Sequence, residues 1–289
     1  MAPVPPPLRK RVFRGSEAID AGLVTAGRLR SRACRRLYRD IYADAALPDD
    51  HRLRCEGAVL LLPDGCVLSG RSAACVRGLP LASPSDPVLV IAPTGTRGGG
   101  AVRGLRIRRA ALRPDEVRRG RLPTTTPLRT AWEIARETDL VEAVAGLDVL
   151  LRHRHVRADE LASLAAARPR SRPARAVRLA DGLAQSPPES RLRVRLALAG
   201  LPPPIPQYEI CRGGEFLARV DLAWPSPRVA LEYDGVWHAD GAQLRRDRRR
   251  LNKLVDGGWT VLHATAADLA DDEAFDRLVV QLAHALGLK

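Results

Sequence analysis

The stretch Phe216-Leu217-Ala218-Arg219-Val220-Asp221-Leu222-Ala223-Trp224-Pro225-Ser226-Pro227-Arg228-Val229-Ala230-Leu231-Glu232-Tyr233-Asp234 decides the fold of the C-terminal part of this 289-residue chain. Its residues alternate with the period of a strand. Phe216, Ala218, Val220, Leu222 and Trp224 form one apolar face, and Leu217, Arg219, Asp221 and Ala223 the other. Pro225-Ser226-Pro227 cannot continue a ladder, and a second alternating run follows, with Val229, Leu231 and Tyr233 opposed to Ala230, Glu232 and Asp234. A loop over residues 225–228 pairs Trp224 with Val229 and sets Asp221 directly opposite Glu232.

Two carboxylates facing one another across a ribbon repel and weaken the sheet. A hard divalent cation offsets that repulsion, since Mg²⁺ is held by one or two carboxylates with water and substrate phosphate. The structural alternative is a solvated face neutralised by Arg219 and Arg228.

Working outward, Ser186-Pro187-Pro188-Glu189 carries a capping serine, proline at the first helical position and glutamate three residues on. It predicts a helix to about Ala199, with Leu192, Leu196 and Ala199 inward. A strand near Ile205–Ile210, the ribbon, a helix from Asp240 to Asp256, the short strand Trp259–Leu262 and a helix from Phe275 to Leu286 complete the order helix, three strands, helix, strand, helix. The fold class is α/β of the α+β kind.

Upstream, Ala18, Ile19, Gly22 and Leu23 space as a short helix, Thr25 caps a second one through Leu29, and Arg35 to Tyr42 alternates weakly about Arg39-Asp40. That hairpin reads as the wing of a small winged-helix-like start, with Arg35, Arg36 and Arg39 on phosphates, or as an ordinary basic hairpin. Val59–Leu62 is expected as a strand, Ser69–Val76 as a small-residue helix, Val88–Ile91 as a buried strand and Val102–Arg109 as a basic strand. Gly98-Gly99-Gly100 reads as a turn, because no lysine and hydroxyl residue follow as in a phosphate loop. The segments divide as 1–50, a mixed α/β region 51–167, an Arg/Pro-rich linker and helix 168–186, and a domain 187–289.

The net charge of +14 lies wholly in the first 186 residues, with 33 basic and 19 acidic groups; residues 187–289 carry 14 of each. A basic region joined to a neutral, carboxylate-bearing one suits a polyanion such as DNA. No apolar run approaches the ~20 residues of a spanning helix, and the N-terminus lacks the apolar core of a signal peptide. A cytoplasmic protein with no membrane partner and no small-molecule cofactor is expected. The five cysteines show no paired spacing, so reduced thiols and no zinc site are expected.

The C-terminal order and its acids resemble the PD-(D/E)XK nuclease fold. From Pro188 to Leu286 the chain is similar to the small endonucleases related to very-short-patch mismatch repair enzymes. Glu189, Val220-Asp221, Leu231-Glu232-Tyr233-Asp234-Gly235, His238, Arg246 to Arg250, Asn252, Leu254 and Gly258 to Leu262 carry that likeness. It implies a metal-dependent DNA endonuclease. Asp221, Glu232 and Glu189 would hold Mg²⁺, or Mn²⁺ in its place, and Asp234 would stand where the superfamily expects lysine. His238 would orient or deprotonate water. Arg246, Arg250 and Lys253, at i, i+4 and i+7, would form a phosphate ridge beside a core stripe of Leu244, Leu251, Leu254 and Val255.

The upstream part resembles the abortive-infection AbiEi antitoxin family. The matching residues are Gly22-Leu23-Val24-Thr25, Tyr42-Ala43, Ser69 to Ala74 and Thr126-Pro127-Leu128-Arg129-Thr130. The alternative it implies is a non-enzymatic DNA-binding regulator with a degenerate nuclease-fold domain.

Overall fold

The computed structural model describes residues 4–96, 102–235 and 252–288. It is a mixed α/β protein, and the described residues build three sheets. The chain divides into two compact units, Met1–Ile134 and Ala135–Lys289.

The first unit begins with β1 (Val12–Arg14), α1 (Gly15–Asp20), α2 (Ala26–Leu29), β2 (Cys34–Tyr38) and β3 (Ile41–Asp44). The strands form an antiparallel sheet in the order β1-β3-β2. Thr25 caps α2 as expected, its hydroxyl accepting the Arg28 N–H at 3.2 Å. The Arg39-Asp40 turn is held by Asp40, whose carboxylate accepts the Ser16 N–H (2.8 Å) and hydroxyl (2.6 Å) at the start of α1. These bonds, the hydroxyl one foremost, hold the Asp40 carboxyl below its ordinary pKa.

Next come α3 (His51–Leu61), β4 (Val67–Leu68), α4 (Gly70–Val76), β5 (Val88–Ala92), β6 (Leu105–Arg109), β7 (Val117–Arg118), β8 (Thr124–Thr125) and α5 (Pro127–Ala135). The strands form a sheet in the order β6-β5-β4-β8-β7. One expectation fails here. Val59–Leu62 is not a strand, because Val59, Leu60 and Leu61 end α3 and Leu62 caps it. Asp50 caps that helix through the Leu53 N–H (2.7 Å), and the buried positions His51, Cys55 and Ala58 recur at helical spacing. A short apolar run carries no period of its own, so the cap at Asp50 and the helical spacing after it prevail. Gly98-Gly99-Gly100 lies outside the described residues.

In the second unit, α6 (Leu140–Arg152), α7 (Ala158–Ala166) and α8 (Arg172–Leu179) precede α9 (Pro187–Leu198). Helix α9 packs on α6, so it is buried on two sides: Leu192 and Leu196 face the sheet core while Val194 is also fully buried. Ala199, expected inward, is exposed.

Strands β9 (Ile205–Arg212), β10 (Glu215–Trp224), β11 (Val229–Asp234) and β12 (Thr260–Thr265) form one sheet in the order β12-β11-β10-β9, with β12 parallel to β11. Residues 252–256 (α10) are followed by Gly257 and Gly258, and the φ of +76° at Gly258 lies in the left-handed region where glycine is favoured. Helices α11 (Ala266–Ala270) and α12 (Asp272–Ala285) close the chain. Leu192, Leu222, Trp224, Val229, Leu231, Phe275 and Leu282 share one core. Leu254 is buried, but Val255, expected beside it, is exposed.

The hairpin keeps its expected register: Trp224 pairs with Val229, Ala223 with Ala230 and Leu222 with Leu231. Alternation breaks at the far end of β10. The ladder with β9 shifts between Phe216 and Ala218, and Phe216 is exposed instead of joining the apolar face.

Candidate carboxylate site on the C-terminal sheet

The β10–β11 ladder ends one step before the two acids would meet. Beyond Leu222 and Leu231, the Tyr233 N–H donates to Asp221 Oδ2 at 2.8 Å, so a side chain replaces a rung of the ladder. The other oxygen, Oδ1, accepts from Gln207 Nε2 at 3.1 Å. The same amide nitrogen donates to Glu189 Oε2 at 2.9 Å. Gln207 thus joins the strand carboxylate to the helix carboxylate.

The local sequence explains the placement. Pro206 pairs with Leu222 and Tyr208 with Val220, so Gln207 lies across from Asp221. Its φ of +50°, unusual for a side chain of this size, departs from extended geometry at that point. Sequence reasoning missed Gln207. The available signal was its position in the predicted strand opposite Asp221, once the register was set.

Glu189 does two jobs. It completes the start of α9, accepting from the Ser186 hydroxyl (2.8 Å) and the Gln185 N–H (2.8 Å), while its Oε2 faces Gln207. It is 8 % exposed and Glu232 is 7 % exposed. Burial raises the Glu189 carboxyl above its ordinary pKa; the donated hydrogen bonds work against this and the nearby Asp221 charge adds to it. The capping and site readings of Glu189 therefore describe one side chain.

Asp234 is turned elsewhere. It pairs with His263 Nδ1 at 3.0 Å, His263 lying on the adjacent parallel strand. His238, Arg246 and Arg250 lie outside the described residues, and Lys253 is exposed on α10. In the first unit, Arg35 is committed to the Leu47 and Ala45 carbonyls and to Asp49. Arg36 donates to the Tyr38 carbonyl, and both Arg36 and Arg39 are exposed.

Among the described residues, no group of three or more His, Cys, Asp or Glu is placed to hold an ion. Both oxygens of Asp221 and of Glu189 already accept N–H or O–H donors. As placed, the described side chains form a hydrogen-bonded cluster and not a ligand set. A buried Ser–His pair in the first unit is not a nucleophile either. Ser72 Oγ meets His51 Nε2 at 2.8 Å but is sealed from solvent and accepts the Leu89 N–H at 2.8 Å.

Residues 48–182 match the family of the AbiEi antitoxin C-terminal domain. The match lies wholly upstream of the carboxylate cluster, which begins at Glu189. The chain is also 37 % identical over 172 residues to uncharacterized proteins from two strains of Mycobacterium tuberculosis. That alignment covers 58 % of this chain and 62 % of each relative, so the chain spans less than two thirds of their length. No helix among the described residues is long and apolar enough to cross a membrane.

Proposed function

We propose that the protein is a DNA-binding regulator of the AbiEi antitoxin type. The match of residues 48–182 to that family carries the reading. The arginine surplus of the first 186 residues supports it physically, because guanidinium groups on phosphate oxygens supply most sequence-independent affinity for DNA. The helix pair α1–α2 followed by the β2–β3 hairpin supports a winged-helix-like start, although α2 spans only Ala26–Leu29 and offers little length for a groove. Fluorescence anisotropy with a labelled duplex tests it. Binding that weakens linearly in log–log form as salt rises is expected; no binding at low salt removes the reading.

A second reading, a Mg²⁺-dependent endodeoxyribonuclease, is favoured by one observation. Glu189, Asp221 and Glu232 are brought to adjoining elements, two of them buried, with Gln207 between the first two. A pure DNA binder gains nothing from acids gathered beside a phosphate. The test is nicking of supercoiled plasmid with Mg²⁺ or Mn²⁺, together with calorimetric titration of Mn²⁺. Under this reading Asp221→Ala and Glu232→Ala abolish cutting and weaken Mn²⁺ uptake while the fold persists. Cutting at full rate in both variants rejects the site.

A further inference from the structure

Where the end of α4 meets the turn from β8 into α5, the first unit holds a guanidinium that no described carboxylate balances. Arg77 donates through Nη1 to Thr130 Oγ1 at 3.1 Å. Through Nη2 it donates to Thr124 Oγ1 at 3.0 Å and to the Thr125 carbonyl. Every acceptor is neutral. The charged group acting on Arg77 is another cation, Arg118, which together with burial lowers the Arg77 pKa to about 10, burial being the larger cause.

Strand register places the second cation. Arg118 in β7 stands directly opposite Thr124 in β8, so the two side chains leave the same face of the sheet. The hydroxyl that Arg77 holds is therefore the cross-strand neighbour of Arg118. Other arginines of this unit have acids: Arg108 pairs with Glu133, Arg121 with Glu56, and Arg129 with Glu116 and Glu133. A purely structural strut accounts for the three hydrogen bonds of Arg77 but not for a like charge set beside it. Its Nε–H has no acceptor among the described residues, and that nitrogen is not sealed from solvent there.

We propose that Arg77 and Arg118 form a phosphate-binding pair that takes one backbone phosphate of DNA, an inference that rests on the DNA-binding reading above. Arg77 is the fixed member, its fork held by three threonines. Arg118, exposed at the sheet edge, closes on the anion from the open side. Planar forks held in place suit phosphate oxygens, and a phosphate removes the repulsion between the two cations.

The test uses the full chain. Inorganic phosphate at constant ionic strength raises the melting temperature of the wild type, and Arg118→Ala removes that rise. The same variant binds a duplex about tenfold more weakly and lowers the salt slope by about 0.9. Arg106→Ala, which removes another exposed charge, from edge strand β6, leaves the phosphate response intact. If duplex binds but Arg118→Ala and Arg106→Ala weaken it equally and the phosphate response survives in both, the pair is refuted and DNA binding stands. If no duplex binds at all, both inferences fail as stated; a phosphate response that still needs Arg118 would then assign the pair to free phosphate.

Discussion

Asp148 and Glu189 are both carboxylates withdrawn from water in the second unit, and they are held in opposite ways. Asp148, 1 % exposed on α6, accepts Arg193 Nη2 at 2.8 Å and the N–H groups of Asp181 and Gly182 at 2.8 and 3.0 Å. Its charge is balanced, and its bonds tie the loop after α8 to α6 and α9. Glu189 is held by neutral donors and faces another acid through Gln207. The first arrangement stabilises a fold. The second carries an electrostatic cost, because burial and the nearby Asp221 charge both disfavour the ionised form of Glu189.

The contrast fails first at its largest expected effect. Asp148→Ala takes from Arg193 one of its two acids, Asp181 remaining at 3.1 Å, and leaves two loop N–H groups without their acceptor, so a loss of about 1–3 kcal/mol is expected from urea denaturation. A loss within error would show that Asp148 is no more structural than Glu189.

Glu189→Gln should act with the opposite sign, raising stability at neutral pH by up to about 1 kcal/mol, because the amide keeps an acceptor and removes a desolvated charge. The pH dependence sharpens it. The folded carboxyl titrates above its ordinary 4.5, so the folded state holds the proton more tightly than the unfolded one. Stability is then lost as pH rises from 4.5 through the folded value, and the advantage of the variant opens over that window. Parallel stability–pH curves for the two proteins would contradict the burial of this charge.

The smallest effect sets the baseline. Arg121, 78 % exposed, pairs with Glu56 at 3.0 Å. Arg121→Ala should cost less than about 0.5 kcal/mol by the same denaturation assay, since exposed pairs are screened and pay side-chain entropy.

Much of the second unit was legible in the sequence because its signals are local. Alternation to either side of Pro225-Ser226-Pro227 set the register of Trp224 on Val229, and Ser186 with Glu189 marked the start of α9. What escaped depends on contacts between distant segments. Val194 is buried because α6 covers a second side of α9, which no pattern within residues 187–198 announces. The acids were expected to face one another as a ladder pair, but Asp221 turned its carboxylate to the Tyr233 N–H instead. Gln207 and His263, which hold Asp221 and Asp234, come from strands whose pairing must be known first. The helix at Val59–Leu61 was missed for a different reason: the apolar run was read alone, without the cap at Asp50 that starts the helix.

The fork between β10 and β11 has a consequence for how this sheet tolerates change. Residues on the closed side, Leu222 to Leu231, fasten the ribbon to the core through main-chain rungs and apolar packing. On the open side the link between these two strands is the Asp221 carboxylate on the Tyr233 N–H, while β10 keeps its rungs to β9 and β11 its rungs to β12. Chemistry there can drift by substitution without unfastening the hairpin, much as the jaws of a clip can be reshaped while its spring stays whole.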